Sequence, residues 1–183
     1  ASPGDKFMAP ELAAGAHIST QRFGAAGLRG LETITYPSIP ETMSIDTDLA
    51  VKAILYEKPR VCYFGQSVYL FPSDLKPMIA AAREVGASVQ YDAAHVLGLI
   101  AGGRFQDPIG DGADLVTAST HKTFPGPQHG VILGGKDREL PNGRMLHKTV
   151  RSRVFPGVHS NHHLHKVAAF GVSLAEAIEF QAD

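Results

Sequence analysis

Two ionisable residues of this sequence, an aspartate and a lysine, each end an apolar stretch. Residues 88–91 lead to Asp92, and residues 114–121 lead to Lys122. A lysine amine that is desolvated or flanked by a cation is nucleophilic at neutral pH and can form a Schiff base with an aldehyde. A carboxylate beside a pyridine nitrogen keeps that nitrogen protonated, so that the ring accepts electrons from a breaking bond. The pair therefore suits pyridoxal phosphate (PLP).

Each residue also has an ordinary structural explanation. An aspartate at the end of a strand is often a turn former or a helix cap, and a single lysine is usually a solvated surface residue. The pairing favours the chemical interpretation, because both groups would then lie at the same edge of a sheet.

Strands and helices alternate along the chain. The pattern predicts strands at residues 33–36, 61–64, 88–92, 114–120 and 131–133. It predicts helices at residues 46–57, from 73 or 74 to 86, 140–150 and 164–180. The residues expected to face inward are Leu49, Ala50, Ala53 and Ile54 in the first helix and Leu75, Met78, Ile79 and Ala82 in the second. The alanines at 80–82 and at 168–169 are interpreted as helix-packing residues. Alternation of this kind indicates a three-layer α/β/α fold with a mostly parallel mixed sheet covered on both faces.

Ligands of such sheets bind at the carboxyl ends of the strands. Polar residues follow three of the predicted strands: Gly65-Gln66-Ser67, then Asp92 and His95, then Thr120-His121-Lys122. We expect these residues to converge on one crevice.

Four segments carry a resemblance to a known family. Residues 12–19, 91–101, 119–127 and 154–157 resemble, in the same order, motifs of serine hydroxymethyltransferase. The resemblance implies a fold-type I PLP enzyme with an aspartate aminotransferase-like large domain, and it places residues 1–183 in that PLP-binding domain. Family members commonly have Arg where this sequence has Gln128, and a Gly-Gly pair where it has Ser160-Asn161. These differences indicate a divergent branch.

The resemblance also implies roles for individual residues. Lys122 corresponds to the Schiff-base lysine, Asp92 to the partner of the pyridine nitrogen, and His17 to the histidine that stacks on the ring. The other residues implied to contact the cofactor or flank the lysine are His95 near the phenolic oxygen, Ser67 in the motif at residues 65–69, Thr120, His121, and Ser160 with Asn161 toward a neighbouring subunit's phosphate. Leu12, Ala16 and Ile18 align with positions that line the folate site.

The implied activity is PLP-dependent cleavage and transfer at the Cα–Cβ bond of β-hydroxy amino acids. The leading hypothesis is conversion of serine to glycine with transfer of the one-carbon unit to tetrahydrofolate. One alternative is a folate-independent threonine aldolase or transaldolase-like enzyme, which would differ in the aldehyde. An alternative of another class is a non-catalytic scaffold that keeps the fold.

The overall composition is that of an ordinary globular protein. The 183 residues are 44% hydrophobic and 19% charged, with a formal net charge of −1. This balance gives no reason to expect nucleic acid or membrane partners. With a single cysteine, Cys62 in an apolar run, we expect a buried thiol and a cytoplasmic protein. The expected partners are an amino acid substrate and a second copy in a homodimer with a shared active site.

Two further features shape the expectations. The first residue is not Met, and both ends look like cuts in a longer protein. The family's N-terminal arm and C-terminal domain have no match here, so we expect these residues alone to turn over little or no substrate. The densest histidine cluster comprises His159, His162, His163 and His165. It lacks a cysteine and a carboxylate-flanked i, i+4 pair, so helix-entry packing or partner contacts are favoured over a metal.

Overall fold

The computed structural model of the protein describes residues 1–68 and 70–180. Tyr69 of the motif around Ser67, and residues 181–183, lie outside that part. In chain order the strands are β1 (Lys6–Ala9), β2 (Glu32–Thr35), β3 (Ser38–Ile39), β4 (Ser44–Ile45), β5 (Val61–Phe64), β6 (Ser88–Asp92), β7 (Leu115–Ser119) and β8 (Gly130–Gly134). The helices are α1 (Ala25–Leu28), α2 (Thr47–Glu57), α3 (Leu75–Glu84), α4 (Leu97–Ala101), α5 (Leu146–Ser152) and α6 (Leu164–Glu179).

One large sheet organises the fold. In the part of the chain that the structure describes it has six strands in the order β2-β1-β5-β6-β7-β8. All neighbours are parallel except β8, which runs antiparallel to β7. The predicted α/β fold with a mostly parallel mixed sheet is therefore confirmed. Strands β3 and β4 form a separate short antiparallel pair.

The two faces of the sheet carry different sets of apolar side chains, since successive strand residues point to opposite sides. Met8, Cys62 and Phe64 lie in the main core with the inner faces of α2 and α3. Phe7 and Tyr63 lie in a second cluster on the other face, together with a residue of α1. Strand β6 follows the same alternation, so Asp92 is on the face of Tyr63.

Helices α2 and α3 follow the sequence prediction closely. The Asp46 carboxylate caps α2 by accepting the Leu49 N–H at 3.0 Å. Ala50 and Ile54 are fully buried, as predicted from their i, i+4 spacing. The predicted inward orientation of Leu49 is wrong, because Leu49 lies about 100° around the helix from Ala50 and is 47% exposed. The predicted inner residues of α3 are all buried: Leu75, Met78, Ile79 and Ala82.

Two predictions about the C-terminal third need correction. The helix predicted at residues 140–150 begins only at Leu146, because Pro141, Asn142 and Gly143 form a turn closed by a bridge between Glu139 and Met145. Helix α6 confirms the prediction for residues 164–180 to within one residue. Of the alanines interpreted as packing residues, Ala81 and Ala82 of α3 are buried, whereas those at 168 and 169 in α6 are exposed in this chain.

An ionic cluster around Asp114 lies at the edge of the sheet opposite the predicted crevice. Asp114 precedes β7, is 1% exposed, and accepts hydrogen bonds from Arg83 Nη1 and Arg138 Nε, both at 2.9 Å, and from the Val89 N–H at 2.7 Å. Burial alone would raise the pKa of Asp114, but the two guanidiniums and the Val89 N–H outweigh it and hold the pKa below its ordinary value. The cluster joins α3, β6 and β7.

The single cysteine is buried as predicted. Cys62 has no exposed surface, and burial raises the pKa of its thiol to about 12. This thiol is inert packing material in the centre of the sheet. Among residues 1–68 and 70–180 we find no helix whose length and apolar content would let it cross a membrane.

Candidate active site

The loops after β6 and β7 leave the same edge of the sheet and bring two predicted site residues into contact. The strands are parallel neighbours, with Asp92 opposite Thr117. Lys122, three residues beyond β7, has its Nζ 3.1 Å from Nε2 of His95, three residues beyond β6. Strand register thus accounts for the meeting of a lysine and a histidine that are far apart in sequence.

The pKa of His95 is influenced by three other ionisable residues predicted at this site, Lys122, Asp92 and His17. Burial lowers the pKa of its imidazole, and the positive charge of Lys122 lowers it further, as does His17. The carboxylate of Asp92 opposes these effects and raises the pKa, but the net direction is downward. A neutral imidazole follows, whose Nε2 can accept an N–H from the Lys122 ammonium.

Asp92 is held at both carboxylate oxygens. Its Oδ1 accepts the Ala94 N–H at 2.8 Å, and its Oδ2 accepts a hydrogen bond from the Tyr63 hydroxyl. Each oxygen has two lone pairs, so the carboxylate can still accept a further donor such as a protonated pyridine nitrogen. Tyr63 was absent from the predicted site. Tyr63 lies on the same face as Asp92 because of the register between β5 and β6, and the sequence pattern does not reveal that register.

Two glycines allow the backbone to pass close to these groups. Gly65 has φ +94°, and a Cβ added there would overlap the carbonyl oxygen of Asp92. Gly15 has φ +96°, and its added Cβ would overlap the Val68 carbonyl. The Gly15 carbonyl also accepts the Ser67 N–H at 2.8 Å. These contacts dock the segment before His17 on the loop that carries Ser67.

The buried side chain of Gln66 strengthens that docking. It donates hydrogen bonds to the carbonyls of Ala14 and Met43. Sequence reasoning included Gln66 only as a polar residue at the end of a strand, without this structural role.

His17 begins the short 3₁₀ turn Ile18–Thr20. Its Nδ1 accepts the Ser19 N–H at 3.2 Å and lies 2.8 Å from the Ser19 hydroxyl. A neutral His17 therefore carries its proton on Nε2, and the ring is held in one orientation. Leu12 and Ile18, predicted to line a folate site, are exposed near it, and Ala16 is buried.

The residues before the lysine have different surroundings. Thr120 is buried, and its hydroxyl lies within hydrogen-bond distance of the carbonyls of Pro127, at 2.5 Å, and His129, at 3.1 Å. This arrangement braces the loop that presents Lys122. His121 is exposed.

Ser160 and Asn161 are exposed in the segment before α6. Asn161 Oδ1 accepts the N–H of the adjacent His162 at 2.9 Å, and among the described residues the structure shows no hydrogen bond from either side chain to the Lys122 site. In the same part of the chain, no group of three or more His, Cys, Asp and Glu residues is placed to hold a metal. The rings of His163 and His165 meet edge to face, with centroids 5.7 Å apart.

The donor set at the Lys122 site fits PLP. The site has an exposed primary amine, which can bind an aldehyde. Beside it lies a neutral imidazole, which suits a phenolic oxygen. An anchored carboxylate with free lone pairs suits a protonated pyridine nitrogen. Lys122 would hold the aldehyde carbon, and Asp92 the ring nitrogen. His17, His95 and Ser67 would contact the rest of the cofactor.

Comparison with known proteins finds relatives that match nearly the whole chain. Residues 1–182 match the serine hydroxymethyltransferase family. A serine hydroxymethyltransferase of Thermoplasma acidophilum is 59% identical over 180 residues, which are 98% of this chain and 41% of that protein. One of Picrophilus torridus is 54% identical over 181 residues, 99% of this chain and 40% of that protein. One of Methanocaldococcus jannaschii is 51% identical over 178 residues, 97% of this chain and 40% of that protein.

The chain thus spans about two fifths of the length of the curated relatives it matches. The match covers the strands, the Lys122 loop and the segment of His17 together. This chain belongs to the serine hydroxymethyltransferase family.

Proposed function

We propose that this chain forms the PLP-binding large-domain part of an enzyme that interconverts serine and glycine and exchanges the one-carbon unit with tetrahydrofolate. The observation that carries the proposal is the contact between Lys122 Nζ and His95 Nε2, with Asp92 acting on the same imidazole. The relatives named serine hydroxymethyltransferase support the same activity over the folate-independent and scaffold alternatives.

PLP, when bound, supplies an aldehyde for an amine and a protonated ring that accepts the electron pair released at Cα. The chain's own residues would prepare its site. Nε2 of His95, kept neutral by burial and by the charge of Lys122, can accept a hydrogen bond from the Lys122 side chain and hold its nitrogen in place for the aldehyde. Asp92 would hold the pyridine N–H through a free lone pair.

Residues around this centre would position the cofactor and a second substrate. The His17 ring, oriented by Ser19, presents a flat surface for stacking. The exposed Leu12 and Ile18 side chains offer apolar area suited to a pterin ring. In a homodimer with a shared site, the exposed Ser160 and Asn161 would donate hydrogen bonds to the phosphate bound by the second copy of the chain.

The test of this proposal uses the complete polypeptide in which the sequence occurs. Incubation with PLP should give a yellow protein, and borohydride reduction should attach the cofactor covalently to Lys122, as peptide mass spectrometry would show. Lys122→Ala should abolish both results. Lys52→Ala, which removes an exposed lysine of α2, is the matched control and should leave them unchanged.

Substrate assays then separate the alternatives. Serine cleavage that depends on tetrahydrofolate is the expected result. Threonine cleavage with no response to folate would favour the aldolase alternative, and a protein that stays colourless with PLP would favour the scaffold.

A further inference from the structure

A tyrosine outside the predicted site contacts the carboxylate that would bind the pyridine ring. Tyr63 of β5 lies opposite Gln90 of β6, and Asp92 is two residues farther along β6 on the same face. Diagonal neighbours across paired strands are within reach of long aromatic side chains. The Tyr63 hydroxyl accordingly donates a hydrogen bond to Asp92 Oδ2.

Packing fixes the direction of this hydroxyl. Tyr63 is only 7% exposed, and its ring packs against Phe7 with centroids 5.6 Å apart. A buried phenol with little access to water gains most from a charged acceptor, because solvent does not compete for the hydrogen bond.

Tyr63 and the Ala94 N–H together hold the Asp92 carboxylate by both oxygens. Two donors on different oxygens fix the plane of the group, so the lone pairs that remain point in defined directions. Without the phenol, the carboxylate could rotate about its Cβ–Cγ bond.

We infer that Tyr63 is a positioning residue for the cofactor: it holds the Asp92 carboxylate in the orientation that binds the pyridine nitrogen of PLP. The inference rests on the proposed function, because it requires PLP at the Lys122 site. Tyr63 itself need not touch the cofactor.

The test compares dissociation constants for PLP and for 1-deazapyridoxal phosphate, in which a C–H replaces the pyridine nitrogen. Tyr63→Phe keeps the ring and removes only the hydroxyl. We expect it to weaken PLP binding about ten-fold, which corresponds to roughly 1.4 kcal/mol, and to leave binding of the deaza analogue unchanged. A role in folding alone would weaken both ligands equally and would overturn the inference.

Two companion variants sharpen the comparison. Tyr91→Phe removes a buried hydroxyl that donates to Gln106 Oε1 at 2.9 Å from the other face of β6, and it should not change the preference for PLP over the analogue. In an Asp92→Asn background, Tyr63→Phe should cause no further loss of preference, because Tyr63 acts through Asp92.

The outcomes distinguish this inference from the proposed function. If the unmodified protein does not bind PLP, the proposed function fails and this inference with it. If the unmodified protein prefers PLP over the analogue and Tyr63→Phe keeps that preference, the inference alone fails. Should Tyr63→Phe give no folded protein, 4-fluorophenylalanine at position 63 fills the space of the hydroxyl but cannot donate a hydrogen bond; an unaltered preference would then overturn the inference.

Discussion

The buried carboxylate of Asp114 offers the sharpest test of what holds this sheet together. Its two oxygens accept hydrogen bonds from the guanidinium groups of Arg83 and Arg138 and from the Val89 N–H, and Asp114 is 1% exposed. Asp114→Asn changes neither size nor shape. It removes the charge and replaces one acceptor oxygen with an NH₂ group that faces other donors.

The expected cost follows from these contacts. Arg83 and Arg138 keep their charges but lose the carboxylate, and water cannot reach the Asn side chain to replace it. Removing one partner of a buried ion pair typically costs about 3–5 kcal/mol. The arginine side chains are partly exposed and recover some hydration, so we expect about 3 kcal/mol. For a cooperative unit of this size that lowers the melting temperature by roughly 10 °C, and the shift is smaller where the complete polypeptide unfolds as one larger unit.

Urea and thermal unfolding of the complete polypeptide, followed by circular dichroism, measure this loss. Asp111→Asn is the matched control, because Asp111 pairs with Lys76 at 3.6 Å and the lysine side chain is 74% exposed. Such a pair is worth less than about 1 kcal/mol. If Asp114→Asn and Asp111→Asn have equal free energies of unfolding, the reasoning about the buried cluster is refuted.

Two other predictions follow from the same structure. Because the pKa of Asp114 is lowered in the folded chain, the contribution of this carboxylate to stability is present at neutral pH and is lost as the pH falls below about 4. In urea titrations, the difference in unfolding free energy between the unmodified protein and Asp114→Asn should shrink over that range. A constant difference would contradict this prediction. Gly65→Ala should destabilise the protein by about 3 kcal/mol or more and weaken PLP binding, because the new Cβ overlaps the Asp92 carbonyl as well as requiring a positive φ. Gly86→Ala is the control, because Gly86 also has a positive φ but no atom lies near the added Cβ. Unfolding and PLP titrations should show a larger loss of stability and of PLP binding for Gly65→Ala than for Gly86→Ala. Equal losses would show that the overlap at Gly65 is relieved.

Local patterns were sufficient for several elements. The Asp46 cap and the helical spacing of α3 depend on residues within a few positions of one another, so they are visible in the sequence. Strand β1 was missed although it lies between β2 and β5, because a four-residue run of Lys6 to Ala9 followed by Pro10 shows no alternation. The turn at Pro141–Gly143 was overlooked because its flanking residues suit a helix.

The amino-acid order alone sets the chemistry available to this protein: a lysine, an aspartate and histidines follow apolar strands, and the order of motifs marks the family. Which of these side chains meet depends on the packing of the strands in three dimensions. The contact of Tyr63 with Asp92 and that of His95 with Lys122 depend on the order and register of neighbouring strands. A shift of one residue in that register would turn each side chain to the opposite face, and the sequence pattern of a single strand does not specify which strand lies beside it.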